Sequence, residues 1–386
     1  MLVGLDATPL LGPRTGVGHY TAGLVEGLAQ LAAPPELLLV PFTWRGAAAL
    51  TAPGGSGARV SHRRVPARAL QAAWARTELP PVEWLASGRL DVFHATNFVA
   101  PPARRAAVVV TVHDLTFLHA TELVSPASAR YRALVPRSLA RAAVVCTPSA
   151  AVAAEVAEAY GVPAERLVVT PLGVREAFRA TEPPAAGWLA ARGLPARYGL
   201  FTGSLEPRKN LPALLAAWRQ LLGGRAPSTE PGGVPPLVLA GPSGWGPALD
   251  AAGLPDGAVV TTGYLDDGDL AGVVAGAAVL AFPSRQEGFG LPPLEALAAG
   301  VPVVAADLPV LRETLGEAAE LVDADDPAAL VGAIAKALAD DGGPAARAAR
   351  RAHAARFTWT ACAEATMGAY RLALDAGAPA RGATAR

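Results

Sequence analysis

Glu287 and Glu295 flank a segment rich in Gly and Pro, Ser284-Arg285-Gln286-Glu287-Gly288-Phe289-Gly290-Leu291-Pro292-Pro293-Leu294-Glu295, with the apolar run Ala278–Phe282 before it and a helical pattern after it. Pro292 and Pro293 suit the first turn of a helix, where a backbone N–H has no partner to lose. The amides of Gly288, Phe289, Gly290 and Leu291 then stand at a helix N-terminus, which attracts anions, and the glycines let a diphosphate or a sugar approach the backbone. Glu295 cannot serve a phosphate. It can accept hydrogen bonds from ribose hydroxyls, as the acid of dinucleotide sites does, or simply complement the helix dipole. The layout is that of a nucleotide-sugar site.

A second constellation follows the buried run Gly199–Thr202: Gly203-Ser204-Leu205-Glu206-Pro207-Arg208-Lys209-Asn210, with Asn210 a candidate N-cap and Pro212 in the first turn of the next helix. Two adjacent cations at a helix entrance can clamp a diphosphate, Arg as a planar fork and Lys as a point charge. A lone Arg-Lys pair is more often a solvated turn; its place beyond a strand's carboxyl end favours the ligand. Lysine is also scarce here, Lys209 and Lys336 standing against 31 arginines. Lys209 lies in the candidate loop, where a compact ammonium suits a ligand, while Lys336 lies on an expected helix face and reads as solvated.

Strand-length apolar runs alternate with helical patterns throughout, which implies parallel sheets built from βαβ units. The expected strands are Leu2–Leu5, Leu37–Pro41, Asp91–Phe93, Val108–Val112, Ala143–Thr147 and Leu167–Thr170, then Gly199–Thr202, Leu237–Ala240, Val259–Thr262, Ala278–Phe282, Val303–Ala305 and Glu320–Val322. Two doubly wound domains follow, with a boundary between Gly173 and Arg197 and a loop insertion over Gly223–Pro236. Ligands of such sheets bind beyond the carboxyl ends of the strands, where His94, His113-Asp114, Ser149, Glu206–Asn210 and Glu287 all fall. Contributions from both halves imply a cleft between the domains.

The segment 284–295, with Ala299-Gly300-Val301-Pro302-Val303-Val304-Ala305 and Leu321-Val322-Asp323, resembles the glutamate-pair motif of retaining glycosyltransferase family 4, and further matches run from Gly16 to Trp359. The resemblance implies an α/β chain of GT-B architecture, two Rossmann-like domains facing each other across a cleft. Residues 1–175 would bind acceptor, 176–358 the donor, and 359–386 would form a helix crossing back to the first domain, where Trp359 packs, and a tail. It implies a donor site of Gly203, Ser204, Arg208, Lys209, Glu287, Gly288, Phe289, Gly290, Leu291 and Glu295. Arg208 and Lys209 would neutralise the departing diphosphate, Glu287 would hold sugar hydroxyls and Glu295 the ribose. His113 would contact the transferred sugar and stabilise developing charge, so the catalytic set is His113, Glu287, Arg208 and Lys209. Gly16, Val17 and Gly18, ahead of a helix expected around Ala22–Leu31, match the family's glycine-rich first loop, which contacts acceptor or phosphate. His94 and Asn97 either line the acceptor side or close a turn.

A dinucleotide reading of Gly16-Val17-Gly18 fails, because position 21 is Thr where a third glycine is needed and Asp6 to Thr15 separate the loop from its strand. Asp267-Gly268-Asp269 and Asp323-Ala324-Asp325 have a metal-binding spacing, but each stands at the start of an expected helix, where Asp is a capping residue. With Arg208 and Lys209 supplying charge, no metal and no other cofactor is expected. The partners are a nucleoside-diphosphate sugar and a hydroxyl-bearing acceptor.

The 386 residues suffice for two domains and carry no net formal charge, which offers no case for nucleic acid as a partner. Residues 1–175 are modestly basic, with 16 Arg against 11 acids. Arg59–Arg76 contains Arg59, Arg63, Arg64, Arg68 and Arg76 with Trp74 among them. Such a segment fits peripheral contact with an anionic membrane surface, and it is also what an Arg-biased chain shows by default. Cys146 and Cys362 have neither a disulfide framework nor a metal-ligand spacing, and no apolar run is long enough to cross a bilayer. A cytoplasmic protein is expected, at most peripheral on the inner membrane face. The alternatives are a nucleotide-sugar epimerase or phosphorylase of the same architecture, and a silent sugar-nucleotide binding module.

Overall fold

The computed structural model describes residues 1–44, 50–86, 88–119, 128–245, 249–339 and 342–377. The chain divides into two compact units, one running to Gly173 and resuming at Phe357, the other spanning Val174–Arg356. Each is built on one parallel sheet. The first contains β1 (Leu2–Asp6), β2 (Glu36–Val40), β3 (Arg59–Val60), β4 (Val92–Ala95), β5 (Ala107–Thr111), β6 (Val144–Thr147) and β7 (Leu167–Val169), in the order β3-β2-β1-β4-β5-β6-β7. The second contains β8 (Gly199–Thr202), β9 (Leu237–Ala240), β10 (Val259–Gly263), β11 (Val279–Phe282), β12 (Val303–Ala306) and β13 (Glu320–Val322), in the order β10-β9-β8-β11-β12-β13.

Both orders are doubly wound. Strands such as β4, β5, β8, β9 and β11 are buried along their whole length, as expected where helices cover both faces of a parallel sheet. In such sheets successive crossovers run first to one side and then to the other, and the crevice opens where the direction reverses. The reversal lies between β1 and β4 in the first unit and between β8 and β11 in the second, whose pairing is Val279↔Gly199 and Leu280↔Leu200.

The long helix Trp359–Asp375 belongs to the first unit and lies against the helix Gly16–Ala29. Two glycines allow the approach: a Cβ on Gly23 would stand 2.2 Å from Cε2 of Trp359, and one on Gly27 2.4 Å from its carbonyl oxygen. The expected tail from residue 378 onward is outside the described residues. Over Gly223–Pro236 the chain forms neither helix nor strand; the Trp218 indole donates to the Pro235 carbonyl at 2.8 Å.

Two local expectations are corrected. The helix expected to begin near Ala22 begins at Gly16, so Gly16, Val17 and Gly18 form its first turn rather than a loop ahead of it. Glycine lowers helix propensity by only about 1 kcal/mol, and packing outweighs that. The basic segment Arg59–Arg76 starts with strand β3, and only Ala67–Trp74 is helical. Trp74 is 1% exposed and its indole donates to the Pro80 carbonyl at 3.1 Å, so it is a core residue and not a surface anchor.

Candidate active site

At the β8/β11 reversal, two loops meet. After β8 the chain makes a 3-10 turn over Pro207–Lys209 and passes through Asn210 in the left-handed region, φ 55° and ψ 39°, before the helix Leu211–Leu222. Asparagine tolerates that conformation better than most residues. Asn210 stands at the N-cap position, as expected, but its side chain makes no capping bond and its buried Nδ2 has no protein partner. From the other loop, the Arg285 N–H donates to the Arg208 carbonyl at 2.8 Å and locks the two together.

This lock brings residues 78 positions apart into one cluster. Lys209 Nζ lies 2.6 Å from Glu287 Oε1 and 4.6 Å above the Phe282 ring. Arg208 reaches Glu287 Oε2 at 3.4 Å, the Gln286 carbonyl at 3.3 Å and Glu206 Oε2 at 3.0 Å. The Lys209 and Glu287 side chains are each only 7% exposed. A buried charge needs a counter-charge, and the cations assigned to phosphate and the carboxylate assigned to sugar supply each other's. Burial lowers the Lys209 ammonium from its ordinary pKa, with Arg208 adding to the effect and Glu287 opposing it. Burial alone would raise the Glu287 carboxyl, but Lys209 and Arg208 outweigh it and the net direction is down.

The loop after β11 continues through Gly290, at φ 88°, where a Cβ would stand 2.5 Å from Leu311 Cδ2. The backbone turns there into the helix Leu291–Ala299, and Thr314 Oγ1 donates to the Phe289 carbonyl at 3.0 Å. Pro292 and Pro293 have no N–H, so within the helix's opening residues Leu291 supplies the donor at that end. Glu295, one turn into the same helix, is 6% exposed and paired with Arg175, whose Nε and Nη2 both lie 2.9 Å from Oε1. Burial raises the Glu295 carboxyl, and Arg175 only partly offsets this. Arg175 had no place in the sequence reading, which counted it with the first domain; its visible signal was a cation directly after Gly173-Val174 at the expected boundary. Gly203, at φ 134°, and Ser204 lead from β8 into the cation turn.

In the first unit the carboxyl ends of β1, β4 and β5 gather a second cluster. His113 Nε2 lies 2.8 Å from the Thr96 carbonyl, which can only accept, so Nε2 carries the proton and Nδ1 presents a lone pair. Its ring meets Tyr20 and Phe98 edge-on at 4.9 and 5.6 Å, and burial lowers its pKa. Asn97 is hydrogen-bonded to the Tyr131 side chain. His94 is fully buried, with Nδ1 2.8 Å from the Tyr370 hydroxyl and Nε2 2.7 Å from Thr111 Oγ1. Both ring nitrogens are engaged and burial takes its pKa down to about 3, so His94 is a structural histidine and not an acceptor-lining one. Gly16 and Val17 open the helix at Thr15, while Gly18 lets Pro9 approach, a Cβ there standing 2.8 Å from the Pro9 carbonyl oxygen. Asp6, the acid that closes β1, was seen in the sequence but not assigned to the site. It accepts from the Thr8 N–H at 2.9 Å, and burial pushes it up to about 6.

The two Asp-x-Asp pairs serve helix starts and ion pairs. The capping residue ahead of Asp267–Ala275 is Asp266, which accepts from the Asp269 N–H, while Asp267 pairs with Arg175 and Asp269 with Arg192. Asp326 accepts from the Ala328 and Ala329 amides, Asp323 from the Asp325 N–H, and Asp325 pairs with Arg285.

A family model described as Glycosyl transferases group 1 matches residues 196–340, and one described as Glycosyl transferase 4-like domain matches residues 15–173. O-antigen chain mannosyltransferase B of Escherichia coli is 31% identical over 389 aligned positions, which span 94% of this chain and 98% of that protein. The chain belongs to the glycosyltransferase group 1 family. This glycosyltransferase shares its GT-B fold with sucrose-phosphate synthase from Thermosynechococcus elongatus, at a TM-score of 0.72 and 20% identity over 98% of this chain and 100% of that one. It also matches Anabaena Alr3699/HepE in complex with UDP-glucose, at a TM-score of 0.62 and 18% identity over 94% and 97% of the two chains.

Proposed function

We propose that this glycosyltransferase moves a hexose, mannose favoured, with retention of configuration from a nucleoside diphosphate to a hydroxyl of a glycan, a lipid-linked glycan or a small glycoside. The first unit binds acceptor and the second donor. The single observation that carries the reading is the Arg208–Lys209–Glu287 cluster at the β8/β11 reversal. Mannose is favoured because O-antigen chain mannosyltransferase B is a relative along nearly its whole length, and a nucleotide sugar because a chain of the same fold is solved with UDP-glucose.

In this scheme the charge that develops on the leaving diphosphate is met by Arg208, Lys209 and the backbone of Gly288–Leu291. Groups already held in place stabilise it without reorganisation. The diphosphate would take over as counter-charge to Lys209, releasing the second acceptor capacity of Glu287 for sugar hydroxyls. Since Lys209 and Arg208 keep Glu287 ionised, it serves as an acceptor and not as an acid. His113, protonated on Nε2, would accept a sugar hydroxyl at Nδ1. No metal enters the scheme, the two cations supplying the positive charge. Contact with an anionic membrane surface rests on the exposed Arg63, Arg64, Arg68 and Arg76 alone, and would place the enzyme in the cytoplasm beside lipid-linked acceptors. Among the described residues no helix is long and apolar enough to cross a membrane.

A melting-point screen with GDP-, UDP-, ADP- and TDP-sugars tests this. A ligand at about a hundred times its Kd adds about 2.7 kcal/mol to the folded state, so one nucleotide class should raise the melting point and the others should not. No shift with any of them would overturn the reading.

A further inference from the structure

Arg175 is the second residue of the second unit and only 16% of its side chain is exposed. Three partners fix its guanidinium. Nη1 lies 2.6 Å from Asp267 Oδ1, Nε and Nη2 both lie 2.9 Å from Glu295 Oε1, and Cζ stands 4.6 Å over the ring of the fully buried Phe178. One cation therefore ties together two carboxylates from two different helices, Asp267 at the start of Asp267–Ala275 and Glu295 one turn into Leu291–Ala299. Without it the two acids would repel each other in a site where Glu295 is already poorly solvated. An ionised carboxylate has about four acceptor directions over its two oxygens, so a guanidinium converging on Oε1 does not exhaust Glu295. Two N–H groups converging on one oxygen fix where Oε1 sits and leave Oε2 to accept from a ligand.

We propose that Arg175 is a positioning residue for the nucleotide half of the donor, fixing the Glu295 carboxylate so that it accepts from the ribose hydroxyls and thereby setting a preference for ribonucleotides over 2′-deoxyribonucleotides. This rests on the reading of Glu295 as the ribose acceptor. The charged groups that face Glu295 are Arg175 and Asp267; Asp269 is occupied by Arg192, and Arg208 and Lys209 face Glu287. Burial and Asp267 push the Glu295 carboxyl up and Arg175 holds it down, so removing the guanidinium makes the carboxyl protonate at higher pH and lose its accepting form.

The test is titration calorimetry with GDP, 2′-deoxy-GDP, UDP and 2′-deoxy-UDP on the full chain, across pH 5 to 8.5. A hydrogen bond to a charged group corresponds to about tenfold or more in affinity, so the wild type should prefer the ribose form of its nucleotide by that factor at pH 8, and the preference should weaken as pH falls. Arg175→Gln should show a weaker preference than the wild type at pH 7, with its pH dependence moved to higher pH, and Arg175→Lys should keep most of the preference. An Arg175→Gln protein with the wild-type preference and pH profile overturns the proposal while leaving Glu295 in place if Glu295→Gln has lost that preference. If Glu295→Gln also retains it, the ribose assignment itself is wrong and the proposal falls with it. Should Arg175→Gln fail to fold, a wild type that shows no ribose preference at any pH overturns it without any variant.

Discussion

Replacing Lys209 with Ala removes the ammonium 2.6 Å from Glu287 Oε1 and leaves a carboxylate whose side chain is 7% exposed. Breaking a buried pair from one side costs about 3–5 kcal/mol. Arg208 remains 3.4 Å from Oε2, which puts the loss at the lower end, about 3 kcal/mol. The deficit should depend on pH. In the wild type the Glu287 carboxyl is depressed, so its contribution is present above the unfolded value of about 4.3 and fades as pH falls through the lower folded value. In Lys209→Ala, burial acts with less opposition and the folded value moves up, so the stranded charge is relieved by protonation. The gap between the two proteins should be widest near pH 7 and should narrow toward pH 4. Urea unfolding followed by fluorescence reads this out, because Trp188, Trp218 and Trp245 all lie in the second unit. Adding Glu287→Gln to Lys209→Met should recover most of the loss, since the unpaired charge is then gone. A Lys209→Ala protein within about 0.5 kcal/mol of wild type at pH 7, the range of an ordinary surface change, would refute the paired-charge argument.

Other consequences follow from the first unit. The Asp6 carboxyl is raised to about 6, so the folded chain holds its proton more tightly than the unfolded one, and stability should fall by about 3 kcal/mol as pH rises from about 4 through 6; Asp6→Asn should flatten that slope, and an unchanged slope would contradict it. Gly23→Ala should destabilise by about 1–3 kcal/mol through collision with Trp359, and Trp359→Leu should relieve much of the cost; equal losses with and without the second change would show that the collision is not the cause.

Much of the sheet framework was legible because parallel strands are continuous apolar runs: β8, β9 and β13 have the expected limits, and most others shift by a residue at an end. Strand β3 was not, since two residues leave no pattern. The start at Gly16 was hidden because glycine reads as a loop, although Thr21, whose hydroxyl donates to the Val17 carbonyl at 2.9 Å, already lies in helix. The residue types of the donor loops were readable. Their pairing was not, for spacing cannot show that Lys209 neutralises Glu287 or that Arg175 grips Glu295 across 120 positions. In the sequence His94 and His113 both follow apolar runs and look alike; in the structure His94 lies inside β4 and His113 beyond β5, and burial and partners separate the ring with two engaged nitrogens from the one with an open acceptor.

Hydrogen exchange of the full chain with and without saturating nucleoside diphosphate tests the donor site most directly. Slowed exchange should appear in residues 203–211 and 284–295 together, the two loops joined by Arg285 and Arg208. Protection confined to other segments, or none in either loop despite measurable binding, would contradict the assignment of the diphosphate to the Arg208–Lys209–Glu287 cluster.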